Sequence, residues 1–301
     1  MRVNPNMVPD ILADMQHSQS LLDTALQQVA TGQRVNVPSD DPTASADMVQ
    51  NSIDSSNVDQ YTKNVSSELS MVQTADSSLG SVVTSLTRAI TLGTEGANGG
   101  LTNSDLNSIA TEVQGLLTSV VGLANSTYNG NYLFSGTETS TKPYTADSSS
   151  ASGYVYKGNS GVNSVAIGDN ISIQINLPGS QLFSNSSTNV IESLSSLVTA
   201  LQSGDSASIQ NATSSVTNAL NYIDQQRVFY SNAESQLDSQ QTILSQETVN
   251  LKTLKNNLTA VDMAQAATEL TQAETANSAA EAAAAKVLPN TILNYLATPS
   301  A

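Results

Sequence analysis

Residues 237–261 read LDSQQTILSQETVNLKTLKNNLTAV. Leu237, Leu244, Leu251 and Leu258 recur at every seventh position, and Leu254 and Val261 fill the adjoining row. A seven-residue apolar repeat keeps one seam of an α-helix turned toward a partner helix. The stretch holds neither Gly nor Pro. It therefore predicts the distal part of a long helix that starts at Ser206, after the Gly204-Asp205 break, with a shorter helix over Asn189–Gln202 before it.

The same pattern opens the chain. Val8, Leu12, Met15, Leu22, Leu26 and Val29 follow 4-3-7-4-3 spacing, with polar Gln19 inside the seven-residue step. Gly32 is placed to end this helix. The segment RVNVPSDDP over Arg34–Pro42 cannot stay helical with Pro38 and Pro42 in it. Helix resumes from Thr43 to about Leu92, a rod of roughly 75 Å at 1.5 Å per residue. The glycine-rich run Gly93–Gly100 is expected to break it. A further helix spans Ser104–Asn125, with Thr102 or Asn103 as its cap.

At Tyr128 the character changes to the aromatic, turn-rich segment YNGNYLFSGTETSTKPY. Ile171, Ile173, Ile175 and Leu177 alternate with Ser172, Gln174 and Asn176, the period of a strand, and Gly168-Asp169-Asn170 reads as the turn before it. The C-terminal segment Asp262–Leu296 is alanine-rich and strongly helix-forming, with Pro289 expected to interrupt it. The fold class is thus mainly α with a β-rich insertion. It is expected as an elongated rod of long antiparallel helices, with paired N- and C-terminal helical arms and a small outward β domain. Three parts are expected. Residues 1–42 with 262–301 form the arms and hinge, 43–135 with 185–261 the helical rod, and 136–184 the inserted β domain.

The two arms each carry an apolar stripe that neither can bury alone, and most helix stability comes from packing. Joining ends so distant in sequence would cost about 5 kcal/mol of loop entropy, most of it removed by a folded middle. The expected contact sets Val8, Leu12, Met15, Leu22, Leu26 and Val29 against Leu258, Val261, Leu270, Val287, Leu288 and Leu293. Alanine buries little area, so this pairing is expected to depend on neighbouring chains. The hinge would comprise Gly32, Arg34, Pro38, Asp40, Asp41 and Pro42. Tyr128, Tyr132, Leu133 and Phe134 would mark the junction of rod and insertion.

Composition narrows the function classes. The 301 residues contain no Trp, 3 Phe and 9 Tyr, which suits slender helices better than one thick core. Twenty-six acids against 10 bases give a formal charge of −16, and the bases are scattered. Nucleic acid and anionic membrane surfaces are poor partners for such a chain. The acidity suits a soluble exported subunit. There is no Cys, hence no disulfide and no thiolate metal site. No secretory signal and no apolar run of membrane-spanning length is visible.

Catalytic chemistry finds little support. His17 is the sole histidine and lies within a slender helix, where a triad has no cleft. Asp40-Asp41 before Pro42 reads more simply as a cap and turn than as a metal site. Asp147, Asp169 and Asn170 lack the spacing of a calcium loop. Gly93, Gly96, Gly99 and Gly100 follow no strand, so a phosphate loop is not indicated. Tyr128, Tyr132 and Phe134 read as a packing cluster rather than a ligand platform. No catalytic, cofactor or metal residue is assigned.

The stretch LLDTALQQVATGQRVNVPSDDPTASADM resembles the N-terminal region of the flagellin family. The loop Val37-Pro38-Ser39-Asp40-Asp41-Pro42 is closer to the family's hook-associated branch than to filament flagellins. Gly130-Asn131-Tyr132-Leu133-Phe134-Ser135-Gly136, followed by Lys142-Pro143-Tyr144, is similar to the G-x-Y-L-F-x-G … P-F/Y motif of the hook-associated protein 3 group, the hook–filament junction proteins. The C-terminal Ala-Ala-Lys-Val tract and Asn-Tyr-Leu ending resemble that group too.

The resemblance implies an extracellular structural subunit of the bacterial flagellum, not an enzyme. It implies export unfolded through the flagellar type III channel without a cleaved signal. Its partners would be other copies in a ring, the other hook-associated junction protein, flagellin and an export chaperone, with no nucleic acid, membrane insertion or cofactor. A filament flagellin is the nearest alternative, and an adhesin-like role for residues 136–184 a more distant one.

Overall fold

The computed structural model describes residues 7–185 and 188–296, with side chains described from 9 to 286 within those ranges. Seven helices and six short strands follow in the order α1 (Met7–Thr31), α2 (Pro42–Gly96), α3 (Asn103–Ala124), β1 (Thr127–Tyr128), β2 (Asn131–Tyr132), β3 (Tyr144–Ala146), β4 (Tyr154–Tyr156), β5 (Ser164–Gly168), β6 (Ile171–Gln174), α4 (Gly179–Leu182), α5 (Val190–Ser203), α6 (Ser206–Thr259) and α7 (Met263–Leu296). The chain divides into two compact units, residues 1–57 with 248–301, and residues 58–247.

The long helices follow from their heptads. On α2 the buried positions Val65, Val72, Leu79 and Leu86 are spaced by seven, with Ala75, Val82 and Ala89 on the companion row. On α6 Ile209, Val216, Ile223, Tyr230, Leu237 and Leu244 keep the same period and are all buried. Full burial of each such aliphatic side chain contributes about 1.5–3 kcal/mol. Within residues 58–247, Arg227 grips Asp76 through two hydrogen bonds of 2.9 and 2.8 Å, linking α6 to α2. The helix α3 packs on α5. A capping box starts α3, with the Thr102 hydroxyl accepting from the Asp105 amide and the Asp105 carboxylate accepting from the Thr102 amide. Asn189 caps α5, and Gly204 ends it with a positive φ of 73°.

The glycine-rich run Gly93–Gly100 does end α2, but only at its fourth residue, and the break expected at Pro289 is absent. α2 runs through Gly93 to Gly96. A side chain at Gly93 would meet the Thr213 hydroxyl, and one at Gly96 would meet Leu201. Both glycines therefore allow close packing against α5 and α6 within the last turn of α2. α7 likewise continues through Pro289. A helix-interior proline forfeits one hydrogen bond, and the alanine tract before it offsets this with strong helix propensity.

The strand-containing region starts earlier than residue 136 and is not one sheet. It holds three separate antiparallel pairs, β1 with β2, β3 with β4, and β5 with β6. Asn129 and Gly130 make the first turn with positive φ values of 50° and 82°. The alternating segment pairs only as far as Gln174. Beyond it the Ile175 amide donates to the Asn163 carbonyl and the Leu177 amide to the Tyr230 hydroxyl. The apolar alternation still works, since Ile173, Ile175 and Leu177 are all buried. Phe134, Tyr144 and Phe183 form the aromatic centre, with Phe134–Phe183 and Tyr144–Phe183 ring centroids 5.6 and 5.9 Å apart, edge to face.

Candidate functional site: the paired terminal helices

In the unit made of residues 1–57 and 248–301, α1 packs along α7. The inward positions of α1 are Ile11, Met15, Ser18, Leu22, Ala25 and Val29, a 4-3-4-3-4 progression. Those of α7 are Ala266, Leu270, Ala273, Asn277, Ala280 and Ala284, in the same progression. Ala25, Ala266 and Ala284 are the fully buried members. Small side chains at these points let the two backbones approach closely.

The seam therefore differs from the expected one. Met15, Leu22, Val29 and Leu270 sit in or beside it, half-buried. Leu12 and Leu26 do not: they remain 47% and 46% exposed, as does Leu21 at 52%. The seam is set by Ser18 and Ala25, which are too small to register as apolar markers in sequence. Leu258 and Val261 are half-buried at the connection between α6 and α7. The side chains of Val8, Val287, Leu288 and Leu293 lie outside the described residues. Beside the seam runs an open groove of about 390 Å³, lined by Leu21, Ala25 and Gln28 from α1 and Glu269, Gln272 and Ala273 from α7.

Ser18 is a flaw in the seam. Its hydroxyl is buried and has no hydrogen-bond partner among the described residues. An unsatisfied buried hydroxyl costs about 1–3 kcal/mol. Ser18→Ala is expected to stabilise the arm pair by about 1 kcal/mol, read as slower amide exchange across residues 15–25. Faster exchange in the variant would show that the hydroxyl contributes a bond of its own.

The hinge is a hydrogen-bonded lock. Gly32 ends α1 with a φ of 68°. Gln33 and Ala260 form an antiparallel bridge, in which the Arg34 amide donates to the Thr259 carbonyl at 2.7 Å and the Val261 amide to the Gly32 carbonyl at 3.2 Å. The Arg34 guanidinium reaches the Asp41 carboxylate at 3.0 Å and the Leu258 carbonyl at 3.3 Å. Asp41 also accepts from the Ala44 amide, capping α2, with Pro42 as the first helical residue. Asp40 accepts from the Asn36 and Val37 amides. Pro38 stays exposed between them.

Bonds to backbone amides hold the Asp40 carboxyl below the usual range, and the Ala44 amide, then Arg34, does the same for Asp41. A carboxyl with a depressed folded value stabilises the fold above its unfolded value and stops doing so as pH falls through the folded one. What these two carboxylates contribute to the hinge is thus present at neutral pH and is lost as pH falls through their depressed values. Exposed ion pairs contribute little, about 0–1 kcal/mol. Arg34→Ala should leave the melting temperature nearly unchanged yet speed exchange of the Val261 amide. Unchanged exchange there would mean the backbone bridge holds without the guanidinium.

The expected rod–insertion residues divide. Leu133 and Phe134 are buried, and Tyr128 and Tyr132 are half-buried. Sequence reasoning missed Tyr230, whose buried hydroxyl accepts from the Leu177 amide, and marked Tyr144 only as a motif residue, whereas its hydroxyl donates to the Gly179 carbonyl. Burial raises both phenols above their ordinary value. His17 is exposed on α1. No group of three or more His, Asp or Glu poised to hold a metal occurs among the described residues.

Two family descriptions match this chain. Residues 3–139 match the bacterial flagellin N-terminal helical region, and residues 213–296 the bacterial flagellin C-terminal helical region. Together they take in most of the chain, including α1, α2, α7 and most of α6. The chain belongs to the flagellin family.

Among flagellin-family relatives, flagellar hook-associated protein 3 of Escherichia coli (strain K12) is 36% identical over 122 residues, which are 40% of this chain and 38% of the relative. Phase 1 flagellin of Salmonella naestved is 29% identical over 118 residues, 39% of this chain and 23% of the relative. The matched stretch thus spans well under half the length of either. Among solved structures, a putative flagellar hook-associated protein from Vibrio parahaemolyticus superposes with a TM-score of 0.67 at 22% identity, covering 73% of this chain and all of that one. FlgL of Bacillus cereus gives 0.60 at 24% identity, covering 69% of this chain and 99% of that one. These likenesses establish the flagellin-type helical fold. No helix among the described residues is long and apolar enough to cross a membrane.

Proposed function

We propose that this chain is a structural subunit of the bacterial flagellum that joins hook to filament by assembling into a ring. The observation that carries the reading is the arm pair, which leaves Leu12, Leu21 and Leu26 exposed beside an open groove. A helix pair that buries a small-residue seam and keeps its larger leucines outside has apolar surface left for neighbours. Head-to-tail repetition of such a contact around an axis closes a ring. The higher identity to a hook-associated protein than to a filament flagellin favours the junction over the filament.

In this reading the partners are copies of the chain, the adjoining hook-associated protein and flagellin. An export chaperone would cover the alanine-rich C-terminal arm before assembly. The chain would lie outside the cell, exported without a cleaved signal. The filament reading is the alternative, and one assay separates the two. Purified chain added to isolated hooks should cap them with a short segment and stop. Growth of long filaments from the chain alone would overturn the junction reading.

A further inference from the structure

Between α2 and the β1–β2 hairpin lies a cavity of about 170 Å³, lined among others by Glu68, Tyr128, Tyr132, Asn163 and Asn176. All belong to the unit 58–247. Glu68 is half-buried, and its carboxylate takes no hydrogen bond and no ion pair among the described residues. Burial alone pushes this carboxyl above its ordinary value. Elsewhere in the fold Asp41, Glu112 and Asp76 are matched to Arg34, Arg88 and Arg227.

The Asn163 and Asn176 amides are turned to backbone carbonyls rather than to Glu68. The buried Asn176 gives its NH₂ to the Gly136 and Gly161 carbonyls, at 3.3 and 3.4 Å. Asn163 gives its own to the Gly136 carbonyl at 3.4 Å. Neither amide donates to the Glu68 carboxylate. Tyr128 and Tyr132 are also part of the lining, and aromatic faces attract organic cations. The volume corresponds to roughly five waters, enough for a guanidinium or the tip of a lysine. A lone carboxylate without a second acid is a poor match for calcium, which needs six to eight oxygens.

We propose that the Glu68 pocket receives the ammonium or guanidinium group of a basic side chain from a second copy of this chain. The choice of occupant rests on the subunit reading above and on charge. At a net charge of −16, two copies repel unless contacts set base against acid locally. Lys63, Lys142, Lys252 and Lys255 are exposed and form no ion pair among the described residues, so the chain carries donors to match the acceptor it leaves open.

The pocket is tested on the full-length monomer, independently of any flagellar role. N-acetyl-lysine methylamide and N-acetyl-arginine methylamide are titrated at constant ionic strength while the Glu68 carboxyl and the Tyr128 and Tyr132 rings are followed by nuclear magnetic resonance. Calcium chloride and potassium chloride serve as parallel arms. Saturable shifts with the organic cations are expected, weakened by about tenfold or more in Glu68→Gln, the loss of one charge-assisted contact. No saturable shift, an equal response in Glu68→Gln, or a response to calcium alone overturns the pocket. The occupant is tested in isolated flagella built from mixed isotopically light and heavy chains, by carbodiimide coupling and mass spectrometry. A Glu68–lysine link joining a light to a heavy copy is expected. Coupling of Glu68 only within one chain, only to another protein, or to nothing overturns the second copy as occupant.

Discussion

Leu26→Asp is expected to give a monomer whose arms still pair but which no longer assembles. Leu26 sits outside the α1–α7 seam and is 46% exposed, so a carboxylate there stays in water in the free chain. In an assembled contact the same carboxylate would be buried without a partner. The lost apolar burial costs about 1.5–3 kcal/mol and the stranded charge several more, at every subunit contact. Because a ring repeats the contact, assembly should fall below detection rather than decline in proportion. The amide exchange of residues 15–25 should match the parent protein. Ala25→Leu is the contrasting change, since Ala25 is buried in the seam. Overpacking there costs about 1–3 kcal/mol and should accelerate exchange along both arms. A Leu26→Asp chain that completed junctions in motile cells would remove the exposed leucines from the assembly surface.

Phe134→Ala carries the largest expected effect on stability. Phe134 is fully buried and stands edge to face with Phe183. Its backbone carbonyl also accepts from the Gly179 amide and the Tyr156 hydroxyl. Removing a ring of this kind costs about 3–5 kcal/mol. At about 2–4 °C per kcal/mol for a unit of this size, calorimetry should find the 58–247 transition lowered by roughly 10 °C. The arms belong to the other compact unit, so their exchange should change less. A fall of under about 2 °C would mean that the cavity collapses and that the aromatic centre is not what holds the hairpins.

Much of this was legible in the sequence, and the misses have physical causes. The leucine row at 237, 244 and 251 is buried as its period requires. The arm helices and their pairing followed from stripes that neither could cover alone. The register slipped because apolar patterning favours large residues, whereas close helix approach is decided by small ones. Leu12 and Leu26 outweighed Ile11, Ser18 and Ala25 in the reading, and the structure reverses that order. Gly93 shows the same bias, since a glycine buried in the last turn of α2 against Thr213 looks in sequence like a helix end. Glu68 gave no signal at all. Its setting comes from a hairpin far along the chain, and a single acid on a polar helix face has no local mark.

The bridge between Gln33 and Ala260 has a mechanical consequence. It ties the two strands of chain that leave the arms, through the Arg34–Thr259 and Val261–Gly32 backbone bonds and the Arg34 side chain on the Leu258 carbonyl. A tension applied to α7 alone would otherwise travel up one peptide strand into α6. Here the bonds lie across the two strands, so the load meets them in shear and they must yield together. Part of the force passes to the strand that leads into α2. The pair of connections bears traction as a laced joint, and a torque delivered to one arm is shared by both helices that follow.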